Sequence, residues 1–188
     1  MISSRTIAAL IAALACSGGA FAQAYIGVGA GSANLDADCT GTISCNNSST
    51  GAKIFAGYKI NQSIAVEFNY IDFGTAKASA ASNVGIVNIE NKNSLVGGGI
   101  ALHGDISPSW NAVARLGIGS MSVDITGVVN GQSVPLSESS TQAYFGLGVG
   151  YAVTKQLSLN GAIDFSQAKF SGESANVRLF SVGLTYAF

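Results

Sequence analysis

The last eight residues, Ser181-Val182-Gly183-Leu184-Thr185-Tyr186-Ala187-Phe188, constrain the fold more than any other stretch of the chain. Counting back from Phe188, every second side chain is large and apolar: Phe188, Tyr186, Leu184, Val182 and Phe180. Ala187, Thr185, Gly183 and Ser181, which separate them, are small or polar. Successive side chains of a strand point to opposite sides, so strict period-two alternation marks a strand with a different solvent on each face. One face here requires an oily surrounding. A soluble sandwich would have to cover that face with a second layer, and the sequence offers nothing to build one.

The same alternation recurs in eight packets: Ala24–Leu35, Thr50–Ile60, Ser63–Phe73, Asn93–Asp105, Trp110–Asp124, Ser140–Val153, Gln156–Ala168 and Asn176–Phe188. The gaps between them alternate in length. Asp36–Ser49, Gly74–Lys92 and Ile125–Ser139 are long and polar, the last holding Asn130-Gly131 and Pro135, so that a small hairpin can form within it. Asn61-Gln62, Ser107-Pro108-Ser109 and Thr154-Lys155 are short, and the gap around Ser171–Ser174 is of moderate length. A tilted strand crosses the hydrocarbon of a bilayer in about 9–11 residues, which each packet supplies. An open sheet edge in lipid would leave backbone groups without partners, so the sheet must close. The expected fold is therefore all-β: a closed eight-stranded antiparallel up-and-down transmembrane barrel, with short periplasmic turns, longer extracellular loops and both termini periplasmic. Eight strands enclose just enough space for their own side chains, which argues against an open channel.

Other features agree. Charged residues make up only 10% of the chain and form no basic stripe, so nucleic acid is not an expected partner. The one continuous apolar run, Ile7 to Cys16, follows Arg5 and precedes Ala20-Phe21-Ala22, the pattern of a secretory signal peptide. Residues 1–22 are read as that signal and 23–188 as the barrel, with cleavage after Ala22 preferred to cleavage after Ala24. Acylation at Cys16 is a weaker reading, because Leu14 lies one place too near the cysteine for a lipoprotein signal. Removing the signal leaves Cys39 and Cys45, an even number in an exported chain, and a disulfide between them is expected to close a loop tip. No metal or cofactor is expected: His103 is the only histidine and lies far from both cysteines.

With the large apolar side chains facing lipid, the opposite parity places Lys53, Lys59, Glu67, Arg115 and Asp164 inside. Glu67 and Arg115 fall at similar height above the periplasmic turns, with Lys53 and Asp164 somewhat higher. Opposite charges in a confined lumen are expected to neutralise one another, since an unpaired charge there is costly. A sharper reading makes the pair a plug whose rearrangement opens a narrow ion path. Trp110, Tyr151, Tyr186 and Phe188 suit an interfacial aromatic girdle. Lys169 and Arg178, outward near the outer strand ends, are placed to touch lipid phosphates or simply water. As a base His103 has only turn serines, Ser107 and Ser109, and Asp105 nearby, so no catalytic residues are assigned and no enzyme is expected. Gly97-Gly98-Gly99 lacks the pattern of a phosphate loop.

The terminal strand resembles the assembly signal of bacterial outer-membrane barrels (polar, any, Gly, any, any, aromatic, any, Phe), matched by Ser181, Gly183, Tyr186 and Phe188. Together with the hairpin FAGYKINQSIAVEFNYIDFG (Phe55–Gly74), it makes the chain similar to the OmpA/OmpX-type eight-stranded outer-membrane β-barrel family. The resemblance covers essentially all of the chain after the signal. It implies a monomeric barrel in the bacterial outer membrane, in contact with its lipid and lipopolysaccharide. It also implies delivery by periplasmic chaperones and insertion by the barrel-assembly machinery. The roles implied are envelope integrity, a surface-interaction or adhesion-like function, or a low-conductance gated pore; a lipid-modifying enzyme is the remote alternative. Glu67 is similar to the acidic member of the salt-bridge gate in such barrels, with Arg115 or Lys53 as partner. No peptidoglycan-binding domain follows Phe188, so the resemblance carries no expectation of cell-wall anchoring by that route.

Overall fold

The computed structural model describes residues 23–36, 43–82, 85–129 and 132–188. The wall is made by β1 (Ala24–Leu35), β3 (Ser48–Lys59), β4 (Ile64–Ser82), β5 (Gly85–Ser107), β6 (Trp110–Val129), β7 (Gln132–Ala152), β8 (Leu157–Phe170) and β9 (Glu173–Ala187). These eight pair in chain order, all antiparallel, and β1 pairs with β9 from Tyr25↔Ala187 to Leu35↔Val177 to close the ring. Closure leaves no sheet edge in the hydrocarbon. A ninth strand, β2 (Ser44–Asn46), pairs on the outside with Lys77–Ser79 of β4.

The alternation decides which face each side chain takes. Ile26, Val28, Val66, Phe68, Leu116, Ile118, Leu147, Val149, Val182 and Leu184 all point outward and stand exposed in the isolated chain. Such a belt of large apolar side chains is intelligible only if lipid covers it. The inner face instead pairs glycines with rings. In register, Gly27 faces Phe55, Gly57 faces Tyr25 and Gly117 faces Tyr144. A Cβ at any of these glycines would run into the facing ring, so the narrow lumen holds its aromatics only because the opposite wall is bare backbone.

The long gaps differ in part from expectation. The ladder between β4 and β5 continues past an irregularity at Asp72/Thr75 as far as Ser82↔Gly85, and that between β6 and β7 as far as Val129↔Gln132. The described residues of the expected loop 74–92 are thus strand, and those of 125–139 form the hairpin expected within that gap, continuous with the barrel ladder. Gly74, at φ +72, sits at the irregularity, where its N–H donates to the Asp72 carboxylate at 2.7 Å. Polar, small and β-branched residues read as loop because their composition is hydrophilic. A sheet wetted on both faces needs no apolar alternation, and the register inherited from the barrel below pairs it anyway. The expected moderate loop at Ser171–Ser174 is a two-residue turn, Ser171-Gly172, in which both residues take positive φ (49 and 89), as a tight hairpin requires.

Candidate functional site

Glu67, Arg115, Lys53 and Asp164 all face the lumen, and the structure joins them into two pairs. Arg115 Nε donates to Glu67 Oε2 at 2.7 Å, and Lys53 Nζ donates to Asp164 Oδ2 at 2.5 Å. None of the four is more than 6% exposed. The wall explains the convergence: Arg115 on β6 lies opposite Gly146 on β7, which lies opposite Asp164 on β8, and the missing side chain at Gly146 leaves room for the Asp164 carboxylate. The other oxygen of Glu67, Oε1, accepts from the Tyr25 hydroxyl at 2.7 Å, and that hydroxyl lies 3.2 Å from His103 Nε2. Phe55 adds a ring 4.8 Å from the Arg115 guanidinium and 5.7 Å from the Lys53 ammonium. Pairing, hydrogen bonding and this cation–π contact together offset the cost of taking four charges out of water. The void left between Lys53, Phe55, Arg115 and Asn160 is about 10 Å³, no roomier than a single water.

Above the ion pairs the lumen is filled mainly by apolar side chains, with Asn93, opposite Val123, buried at the same height and its Oδ1 without a partner. Ile71, Leu95, Met121 and Leu179 are at most 1% exposed and pack with Leu35, Phe73, Val123 and Val177. The Tyr144 ring lies on the inner side of this apolar cap, and its hydroxyl accepts from Asn69 Nδ2 at 3.0 Å. Sequence reasoning missed the cap. Its signal is the adjacent apolar pairs Tyr70-Ile71, Leu95-Val96 and Leu179-Phe180, where both faces of a strand are apolar and the alternation lapses. Below the ion pairs, at the end with the short turns, the lumen widens into a cavity of about 370 Å³ lined by Tyr25, Lys59, His103, Asn111, Lys155 and Asn160, among others.

The model of the outer membrane protein beta-barrel domain family matches residues 6–188. The chain belongs to this family. Its solved structural neighbours show the same fold at low identity. The attachment invasion locus protein Ail of Yersinia pestis is 17% identical, with 89% of this chain and 99% of that one covered, at a TM-score of 0.59. Outer membrane protein OprG from Pseudomonas aeruginosa is 15% identical over 90% of this chain and 98% of its own, at 0.60. Neisserial surface protein A is 17% identical over 88% and 97%, at 0.56. Comparison with curated proteins gives no match. This outer membrane protein beta-barrel domain resides in the bacterial outer membrane, with its short turns toward the periplasm.

Within that family frame the remaining residues can be placed. Ser181 and Gly183 face the lumen, Gly183 opposite Gly29, whereas Tyr186 and Phe188 face outward with their rings 5.2 Å apart. Trp110 and Tyr151 meet across β6 and β7 with ring centroids 5.1 Å apart and planes tilted by 58°, also at the periplasmic rim. His103 meets the Tyr25 ring edge-on at 5.5 Å, and no serine hydroxyl among the described residues bonds to it. Arg178 is bound to Asp36 at 2.9 Å, while Lys169 is exposed. Cys45 lies at the centre of β2, opposite Ala78. Cys39 and the segment 1–22 lie outside the described residues.

Proposed function

We propose that this outer-membrane barrel is non-enzymatic and acts by what it presents at the cell surface, an adhesion-like role, over a lumen that stays closed. The observation that carries this reading is the contrast between interior and rim. Ion pairs and an apolar cap fill the interior, while the wall rises past the lipid-facing belt as one sheet, β2-β4-β5-β6-β7. The outward apolar series on β4 ends at Tyr70 and the strand at Ser82, so the sheet runs roughly 40 Å along its strands beyond the belt, at about 3.3 Å per residue. Its charges are largely paired with one another: Lys77 with Glu90 at 2.7 Å, and Lys92 with Asp72 at 3.8 Å. Above Phe145↔Phe165 β7 no longer pairs with β8, which leaves an edge carrying Pro135, with Val134 and Leu136 exposed beside it. A partner is met there by backbone, hydroxyl and apolar contacts rather than by net charge.

The same reading includes maturation. Residues 1–22 direct export and are removed after Ala22. Periplasmic chaperones and the assembly machinery recognise Ser181, Gly183, Tyr186 and Phe188, and a Cys39–Cys45 disulfide ties the β1–β3 connection. Lipid and lipopolysaccharide surround a monomer, whose presence also supports envelope integrity. The test shortens the two projecting hairpins, deleting 75–92 and 123–138, and compares attachment of expressing cells to protein- and glycan-coated surfaces. Attachment should fall to the level of cells lacking the protein, while the shortened barrel still migrates faster before boiling than after. Unchanged attachment together with stepwise conductance of the intact barrel in planar bilayers would replace this reading with the gated pore.

A further inference from the structure

We propose that the periplasm-facing cavity is a binding site for a small organic anion, whose carboxylate or phosphate head is held by Arg115 and Lys59. The proposal rests on the barrel's place in the outer membrane and is independent of what its surface sheet does. Because the outer end is sealed by the apolar cap, this cavity is a blind cup rather than the mouth of a channel. A solute entering from the periplasm has nowhere to go but back.

The chemistry of the walls selects an anion. Arg115 lines the cup and gives only Nε to Glu67; among the described residues neither Nη group has an acceptor, although the residue is 6% exposed. Neither Nη atom is among the buried side-chain atoms that lack a partner, so both reach the solvent of the cup, and a guanidinium presents such N–H groups in a fork that fits the two oxygens of a carboxylate or phosphate. Lys59 and Lys155 also line the cup, and neither has a carboxylate within ion-pair distance among the described residues. Asp105 is the only acid in the lining. With Arg115 already balanced by Glu67, two lysines against one aspartate leave the mouth positive. A concave site with low-dielectric walls concentrates such a field and raises the local concentration of anions.

Size and the remaining walls set the rest of the ligand. At about 370 Å³ the cup lies at the small end of ligand pockets, which run from roughly 300 to 1,000 Å³. Phe55 and Val113 offer apolar surface, and Asn111 and Asn160 offer amides. A compact uncharged body behind a single anionic head fits this combination better than a bare ion.

The test uses the full mature barrel, isotope-labelled and folded in maltoside micelles, so that no phosphate comes from the detergent. Inorganic phosphate and N-acetylglycine are titrated separately while NMR shifts are followed. Saturable shifts should cluster at the Arg115 Nε–H and the amides of Asn111 and Asn160, with Lys77 and Lys92 on the projecting sheet unmoved. The double variant K59Q/K155Q, verified as folded by its faster migration before boiling, should bind about three- to tenfold more weakly. K77Q should bind as the parent does. Saturation by only one probe still supports the site and names its head group. Shifts that never saturate, or equal affinity in the parent and K59Q/K155Q, would overturn the proposal.

Discussion

The two ends of the lumen are built on the same strands with the same inward parity, yet one is charged and wet and the other mainly apolar. At the periplasmic end the inward positions of β5 and β6 are His103 and Arg115; toward the outer end of the same strands they are Leu95 and Met121. Parity alone therefore fixes where a side chain points and says nothing about the medium it points into. That medium depends on closure. The cup communicates with the periplasm, so its polar groups keep water within reach, whereas the side chains of the cap pack on one another with Ile125, Phe170 and Ala175 against them.

The largest expected effect comes from placing one charge in each end. In the cap, Leu95→Asp introduces a carboxylate at a position 0% exposed, with no cation to meet it. Loss of the packed side chain and burial of an unpaired charge should together cost about 5 kcal/mol or more, enough to abolish the heat-modifiable folded form. Val113→Asp puts the same group in the half-buried wall of the cup and should change stability by about 1 kcal/mol or less. Urea unfolding followed by the fluorescence of Trp110, the only tryptophan, gives the comparison for whichever variant folds. Equal losses at the two ends would show that the cap is no drier than the cup.

How much of this could be read from the chain follows from the same distinction. Alternation placed Phe68, Leu184 and the other lipid-facing residues outward because lipid and lumen differ along the whole belt, and the inward parity of Glu67, Arg115, Lys53 and Asp164 came with it. Which charge meets which depended on register across non-adjacent strands: Lys53 and Asp164 are 111 residues apart and meet across the lumen. The only sign of it in the chain is the residue count up from each periplasmic turn, which sets Glu67 near the height of Arg115 and Lys53 near that of Asp164. The cap was legible in principle, in Tyr70-Ile71 and Leu179-Phe180, but a doubly apolar strand end reads equally as a deeper membrane segment. The projecting sheet was hidden for the opposite reason. With water on both sides, Thr75 to Ser82 needs no alternation, so its strand character is imposed by the register of the barrel below it rather than by its own residues.

The ion pairs between the two ends provide the next measurement in size. Glu67→Ala leaves Arg115 buried without its carboxylate and takes the acceptor from the Tyr25 hydroxyl, so the expected loss is about 3–5 kcal/mol in urea unfolding. Glu67→Gln combined with Arg115→Gln removes both charges and should recover most of that loss, because uncompensated charge rather than lost attraction dominates the single variant. If Glu67→Ala cost less than about 1 kcal/mol, the middle of the lumen would have to be hydrated like an exposed surface, and the boundary between wet and dry would move outward to the cap.

The smallest effect tests how tightly the lower lumen is packed. Gly57 faces the Tyr25 ring, and any side chain there must displace the ring and with it the hydroxyl that holds Glu67. Gly57→Val is expected to cost about 1–3 kcal/mol, the usual range for forcing extra methyl groups into a filled interior. A Cβ added at Gly104, only one strand end away, would meet no atom within 4 Å, and Gly104→Ala should fall within about 0.5 kcal/mol of the parent. The contrast between two glycines at the same end of the barrel separates a requirement for space from a requirement for backbone freedom, since neither takes a positive φ. A comparable loss at both positions would mean that glycine is needed for strand curvature rather than for room. The pairing of bare backbone with inward rings would then no longer explain how Tyr25 and Phe55 fit inside an eight-stranded wall.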